Sequence, residues 1–158
     1  MTLWRWAALA GLGVAIFTVW FGQIPGMHAC GVVAQPILAF EFVTSPADVA
    51  ALFPESCRAV HVSAQRTGLL IDGLGFIPTY SAFLILSAAA MRRDGVPFAR
   101  KTFLPVLIAV IVAALCDEFE GRQLWTLLAT LPGDQSTIDL LMPAVRAKFA
   151  LLALAALA

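Results

Sequence analysis

Residues 102–131 read TFLPVLIAVIVAALCDEFEGRQLWTLLATL, and the two halves of that stretch decide the fold between them. From Thr102 to Leu115 no side chain is charged, whereas Asp117, Glu118, Glu120 and Arg122 follow in quick succession. A hydrocarbon core of roughly 30 Å is crossed by about 20 mostly apolar residues in helical form, so the stretch is long enough. Backbone amides in lipid have to be paired within their own segment, which makes it a helix. A charge at mid-bilayer costs at least about 2.5–3.5 kcal/mol, so charged groups there face a protein interior and find partners. The stretch therefore predicts a spanning helix with an inward acidic face.

Three further stretches have the same character: residues 3–22, residues 68–91, and residues 138–158, the last broken only by Asp139, Arg146 and Lys148. The chain has 158 residues, 61% hydrophobic and 13% charged. Soluble domains are about 45–50% apolar and about 25% charged, so both figures point to lipid. Lys plus Arg and Asp plus Glu are ten each, which gives no basic surface for nucleic acid. The first stretch also has the look of a signal peptide, and Met27-His28-Ala29-Cys30 resembles a lipoprotein cleavage site. Trp4, Trp6 and Trp20 near its two ends are placed instead as interfacial anchors of a retained helix. The fold class expected is all-α: one integral membrane domain over residues 1–158, a four-helix transmembrane bundle with short interfacial helices in its first outer loop.

Charge asymmetry orients it. The short loop 92–101 carries Arg92, Arg93, Arg100 and Lys101 and is expected on the cytoplasmic side. Alternation then places both termini in the cytoplasm and residues 23–67 outside, in what is expected to be a bacterial inner membrane. Cys30 and Cys57 both fall in that outer segment, where an oxidising compartment permits a disulfide. The stretch 36–43 is too short to span, and Ser45-Pro46-Ala47-Asp48 starts a second short helix with Ser as N-cap and Pro in the first turn. Glu41, between Phe40 and Phe42, is a carboxylate that must reach water, a partner or a proton.

At 1.5 Å per residue, Asp72 lies about a turn deep, Asp117 near mid-span, and Glu120, Arg146 and Lys148 in the outer half. Asp117 and Glu120, three apart, share a helix face, and Glu118 and Arg122, four apart, are spaced to pair. Asp72, Phe76 and Tyr80 trace one stripe; Pro78 and Pro143 are expected to kink their helices. The candidate ligand-binding set is Glu41, Asp72, Tyr80, Asp117, Glu120, Arg146 and Lys148. No metal-ligand pattern, nucleophile elbow or phosphate loop is present, so neither a metal nor a cofactor is expected.

Ala39-Phe40-Glu41-Phe42, Ile71-Asp72 with Phe76 and Tyr80, Cys116-Asp117 with Glu120, and Lys148-Phe149 together resemble a set of small bacterial four-helix membrane proteins. Those carry Asp-x-x-Glu-Asn in the third helix, where this chain has Gly121 in the Asn position. The resemblance implies the topology and the choice of residues, and no reaction. Function is expected to be binding or transport of a cation, a proton or a polar headgroup at an outward-facing acidic site. The alternatives are an accessory subunit whose ion pairs only hold register, and a lipid-directed membrane enzyme using Asp72, Asp117 and Glu120. The partners expected are the lipid bilayer and either another protein or a second copy of the chain.

Overall fold

Helix starts follow the capping chemistry. In the computed structural model, which describes residues 2–31 and 35–158, Ser45 accepts a hydrogen bond from the Asp48 amide and Asp134 from the Thr137 amide. Both are N-caps that satisfy an otherwise orphaned first-turn donor. The chain is all-helical, 81% of it in helix. Its elements are α1 (Leu3–Phe21), α2 (Pro36–Glu41), α3 (Pro46–Leu52), α4 (Arg58–Ile71), a π segment (Asp72–Phe76), α5 (Ile77–Arg93), α6 (Pro97–Ala129) and α7 (Gln135–Leu157). Residues 32–34, and Met1, lie outside the described residues. Four helical stretches are long and apolar enough to cross a membrane: α1, Arg58–Arg93, α6 and α7.

The second of these differs from the sequence reading. It begins at Arg58 rather than near residue 68 and runs 36 residues. Its first turns are polar, so hydropathy passes them over, but His61, Ala64, Gln65 and Gly68 recur at helical spacing and are buried. The irregularity expected at Pro78 also takes another form. One turn before the proline the backbone widens, and the Ile77 amide donates to the Asp72 carbonyl, five residues back. Pro78 has no N–H to donate into the preceding turn, and Gly73 and Gly75 make that turn easy to widen. Such π segments recur at functional sites. Pro105 and Pro143 lie inside continuous helices.

Packing runs as a row. α1 lies along α5, α5 along α6, and α6 along α7, with α1 and α7 at the two ends and at most marginal contact between them. Small residues bring α1 close: Gly11 faces the Phe83 ring, Gly13 faces Thr79, and Gly75 of the π segment lies under the Phe17 ring. Even so, only 6% of the apolar window of α1 is buried, against 22% for α6 and for α7. α1 is the most loosely enclosed of the four.

The largest core sits at one end. Phe40, Val43, Val49, Leu52 and Phe53 of α2, α3 and their flanks pack on Leu124, Leu127 and Leu128 of α6 and on Ile138, Leu141 and Val145 of α7. Phe40 and Phe53 meet edge to face at 5.1 Å. Gln65, buried, donates to the Pro36 carbonyl and fixes the start of α2 against α4. Cys30 and Cys57 form a disulfide across this same layer. α2 and α3 are thereby pinned over the helix ends. That is what carries Glu41 inward.

Candidate functional site

Lys148 organises the interior. Its ammonium lies 2.7 Å from Glu120 Oε2, 3.0 Å from Asp117 Oδ1 and 3.2 Å from Glu41 Oε2. All four residues are less than a tenth exposed. Each arrives from a separate cause. Asp117 and Glu120 share the inward face of α6 through their i, i+3 spacing. Lys148 follows Leu141 and Val145 on the buried stripe of α7. Glu41 follows Phe40 into the core at the end of α2.

The hydrogen bonds are uneven. Lys148 donates to Glu41 and to Asp117, and the Tyr80 hydroxyl donates to the other Asp117 oxygen at 2.9 Å. Glu120 Oε2 is the closest oxygen to the ammonium and meets it as the shortest of the three ion pairs. Three carboxylates on one ammonium leave the cluster formally two charges negative. Burial holds the Glu41 carboxyl above the usual carboxylate range, against the pull of the Lys148 ammonium. No group of three His, Cys, Asp or Glu capable of holding a metal ion occurs among the described residues.

A partly open cavity of about 390 Å³ adjoins the cluster. Glu41, Asp72, Tyr80, Asp117 and Lys148 line its polar part. Phe21 of α1, Ile37 and Leu38 of α2, Phe76, and Phe149 and Leu152 of α7 line the rest, with His28 and Gln35 also on the wall. The cavity thus lies between the two end helices of the row, α1 and α7, with α2 across it. Glu120 stays behind Lys148 and does not line it. Phe76 meets Tyr80 edge to face at 5.5 Å, and Phe42 stacks on Phe149 at 5.5 Å, so the apolar walls have fixed orientation. Asp72 is half-buried at the π segment; its carboxylate has no hydrogen bond or ion pair among the described residues, and it faces a second cavity of about 280 Å³ as well.

One pairing that the spacing allowed does not form, and one candidate residue lies apart from the rest. Glu118 and Arg122 make no ion pair within 4 Å among the described residues; both are exposed and line the second cavity. Arg146 is exposed as well and takes no part in the cluster, because two residues along α7 turn it some 200° from Lys148. The remaining candidates, Glu41, Asp72, Tyr80, Asp117, Glu120 and Lys148, are gathered at or beside one cavity. Missed by sequence reasoning were the apolar wall residues Phe21, Leu38 and Leu152, which nothing in their local pattern distinguishes from other lipid-facing side chains. No protein-family model, curated protein or solved structure matches the chain.

Proposed function

We propose that the chain is a multi-pass membrane protein that binds an amphipathic ligand with a cationic head, admitted from the outer half of the bilayer between α1 and α7. The observation that carries this reading is the two-part cavity: carboxylates in excess of base at one end, aromatic and aliphatic walls along the rest. Ligand pockets run about 300–1,000 Å³, mostly apolar with a few convergent polar groups, and this one falls in that range. Glu41 and Asp72 receive the head, the latter having no other partner, and the tail lies along Phe21, Leu38 and Leu152. In the bilayer the four helices form an open bundle, with both termini and the basic loop 92–101 in the cytoplasm of a bacterial inner membrane. α2 and α3 lie at the outer interface.

Three eight-carbon amphiphiles test it on protein reconstituted in lipid nanodiscs. Octylammonium raises the unfolding temperature, and octanol and octanoate do not. Asp72→Asn and Glu41→Gln remove the effect. Equal stabilisation by octanol reduces the site to an apolar groove. The accessory-subunit reading draws on the enclosure of Glu120 behind Lys148, which also suits a pair that only holds register; it predicts no response to any of the three.

A further inference from the structure

The charge of the cluster is not closed by the groups around it. The elements that meet there contribute Glu41 from α2, Asp72 from the π segment, Tyr80 from α5, Asp117 and Glu120 from α6, and Lys148 from α7. α1 adds only Thr18, Phe21 and Gly22 to the cavity wall, and the segment before α2 adds His28 and Gln35. Among the described residues, Lys148 is therefore the one permanent cation facing four carboxylates. Carboxylates crowded on one site cannot all ionise, and enclosure in a medium of low dielectric sharpens the conflict. Glu120 adds a separate observation. It is the most enclosed of the three acids that touch the ammonium, 2% exposed, and unlike Glu41 and Asp117 it does not line the cavity. A carboxyl so cut off from water, and sharing its one ammonium with two other acids, is costly as a carboxylate and costs much less as a neutral acid.

We propose that the Glu41–Asp117–Glu120–Lys148 cluster stores one exchangeable proton, carried on Glu120, and releases it when a cationic head enters the adjoining cavity. This rests on the ligand reading above and extends it to an exchange activity. One positive charge enters as the ammonium of the ligand and one leaves as the proton, so the net charge of the enclosed site is unchanged. The Lys148 ammonium gives one of its protons to the Glu41 carboxylate and takes the Glu120 proton in its place, so it ends as it began, and Glu41 passes its proton into the cavity. Glu120 does not line the cavity and Glu41 does, so Glu41 is the positioning and relay group.

Two measurements on the full chain in nanodiscs separate this claim from the one beneath it. Infrared spectroscopy of the ligand-free protein near neutral pH should show the band of a neutral carboxyl. Incorporating ¹³C-labelled glutamate should shift it, and Glu120→Gln should abolish it. The isotope shift needs no substitution and decides the matter if the variant does not fold. No neutral glutamic carboxyl in the ligand-free protein overturns the proposal, whatever binds. Titration calorimetry with octylammonium, repeated in buffers of different ionisation enthalpy, should then report one proton released per ligand. Affinity should weaken about tenfold for each pH unit of acidification, as a one-for-one exchange requires. Binding with heat independent of buffer keeps the ligand site and overturns the exchange.

Discussion

Replacing Lys148 by Met tests the cluster most severely. The substitution keeps the side chain's length and removes its charge, leaving Glu41, Asp117 and Glu120 enclosed with no ammonium. Two charged hydrogen bonds are lost, worth about 1.5–3 kcal/mol each. The loss has a ceiling, because a carboxylate can instead take up a proton. For an ordinary carboxyl at pH 7 that costs about 4 kcal/mol, roughly three pH units at 1.36 kcal/mol each. The expected destabilisation at pH 7 is therefore about 3–4 kcal/mol, in line with the 3–5 typical of a broken enclosed pair. The sign with pH follows. The folded variant binds a proton that its unfolded chain does not, so its deficit shrinks as pH falls, by about 1.4 kcal/mol per unit. Adding Asp117→Asn, which removes one of the charges left without its ammonium, should recover part of the loss. Reversible unfolding in mixed micelles at pH 5, 6 and 7 measures all three quantities, with the exposed Arg146→Gln as a control that should move stability by no more than about 0.5 kcal/mol. A Lys148→Met deficit below about 1 kcal/mol at pH 7, or one independent of pH, would refute the assignment of Lys148 as the counter-ion.

Reducing the Cys30–Cys57 disulfide, which spans 27 positions, should lower stability by roughly 3–4 kcal/mol on the chain-entropy model; comparing unfolding with and without a reductant reads this directly. Gly75→Ala places a methyl group into the Phe17 ring and should cost about 1–3 kcal/mol, with Phe17→Ala restoring the space and part of the stability. Asp134 accepts from the Ser136 hydroxyl and the Thr137 amide, and these hydrogen bonds hold its carboxyl below the usual carboxylate range. The stabilisation is therefore present above the ordinary Asp range and lost as pH falls through the depressed value. Asp134→Ala should lower the unfolding temperature at neutral pH and converge with the parent protein in acid.

The long helices were legible because crossing a bilayer imposes a single requirement, a long apolar helix, and α1, α6 and α7 are long and apolar enough to meet it in plain sequence. α4 was not, because its first turns are amphipathic and are enclosed by α2 rather than by lipid. The acids of α6 and Lys148 could be read as one set from depth and spacing alone. Glu41 could be read as anomalous, but its partner could not be foreseen, since α2 reaches Lys148 only through the packing of Phe40 and Val43 on α6 and α7. The pairing of Glu118 with Arg122 followed from spacing and failed. Both side chains turn outward to the second cavity, where nothing forces them together. The cavity itself had no signal. It arises because α1 and α7 end the row without closing on each other, and local sequence carries no trace of that.

Photo-crosslinking tests the central claim most directly. An octylammonium analogue with a diazirine on its tail, equilibrated with the protein in nanodiscs and irradiated, labels whatever lines the tail's resting place. The account predicts adducts on α1 around Phe21, on α2 around Leu38 and on α7 at Phe149 and Leu152. It also predicts that unlabelled octylammonium competes for them and that Asp72→Asn abolishes them. Labelling spread over exposed side chains such as Leu104, Leu115 and Leu154, indifferent to competitor and to the substitution, would contradict it.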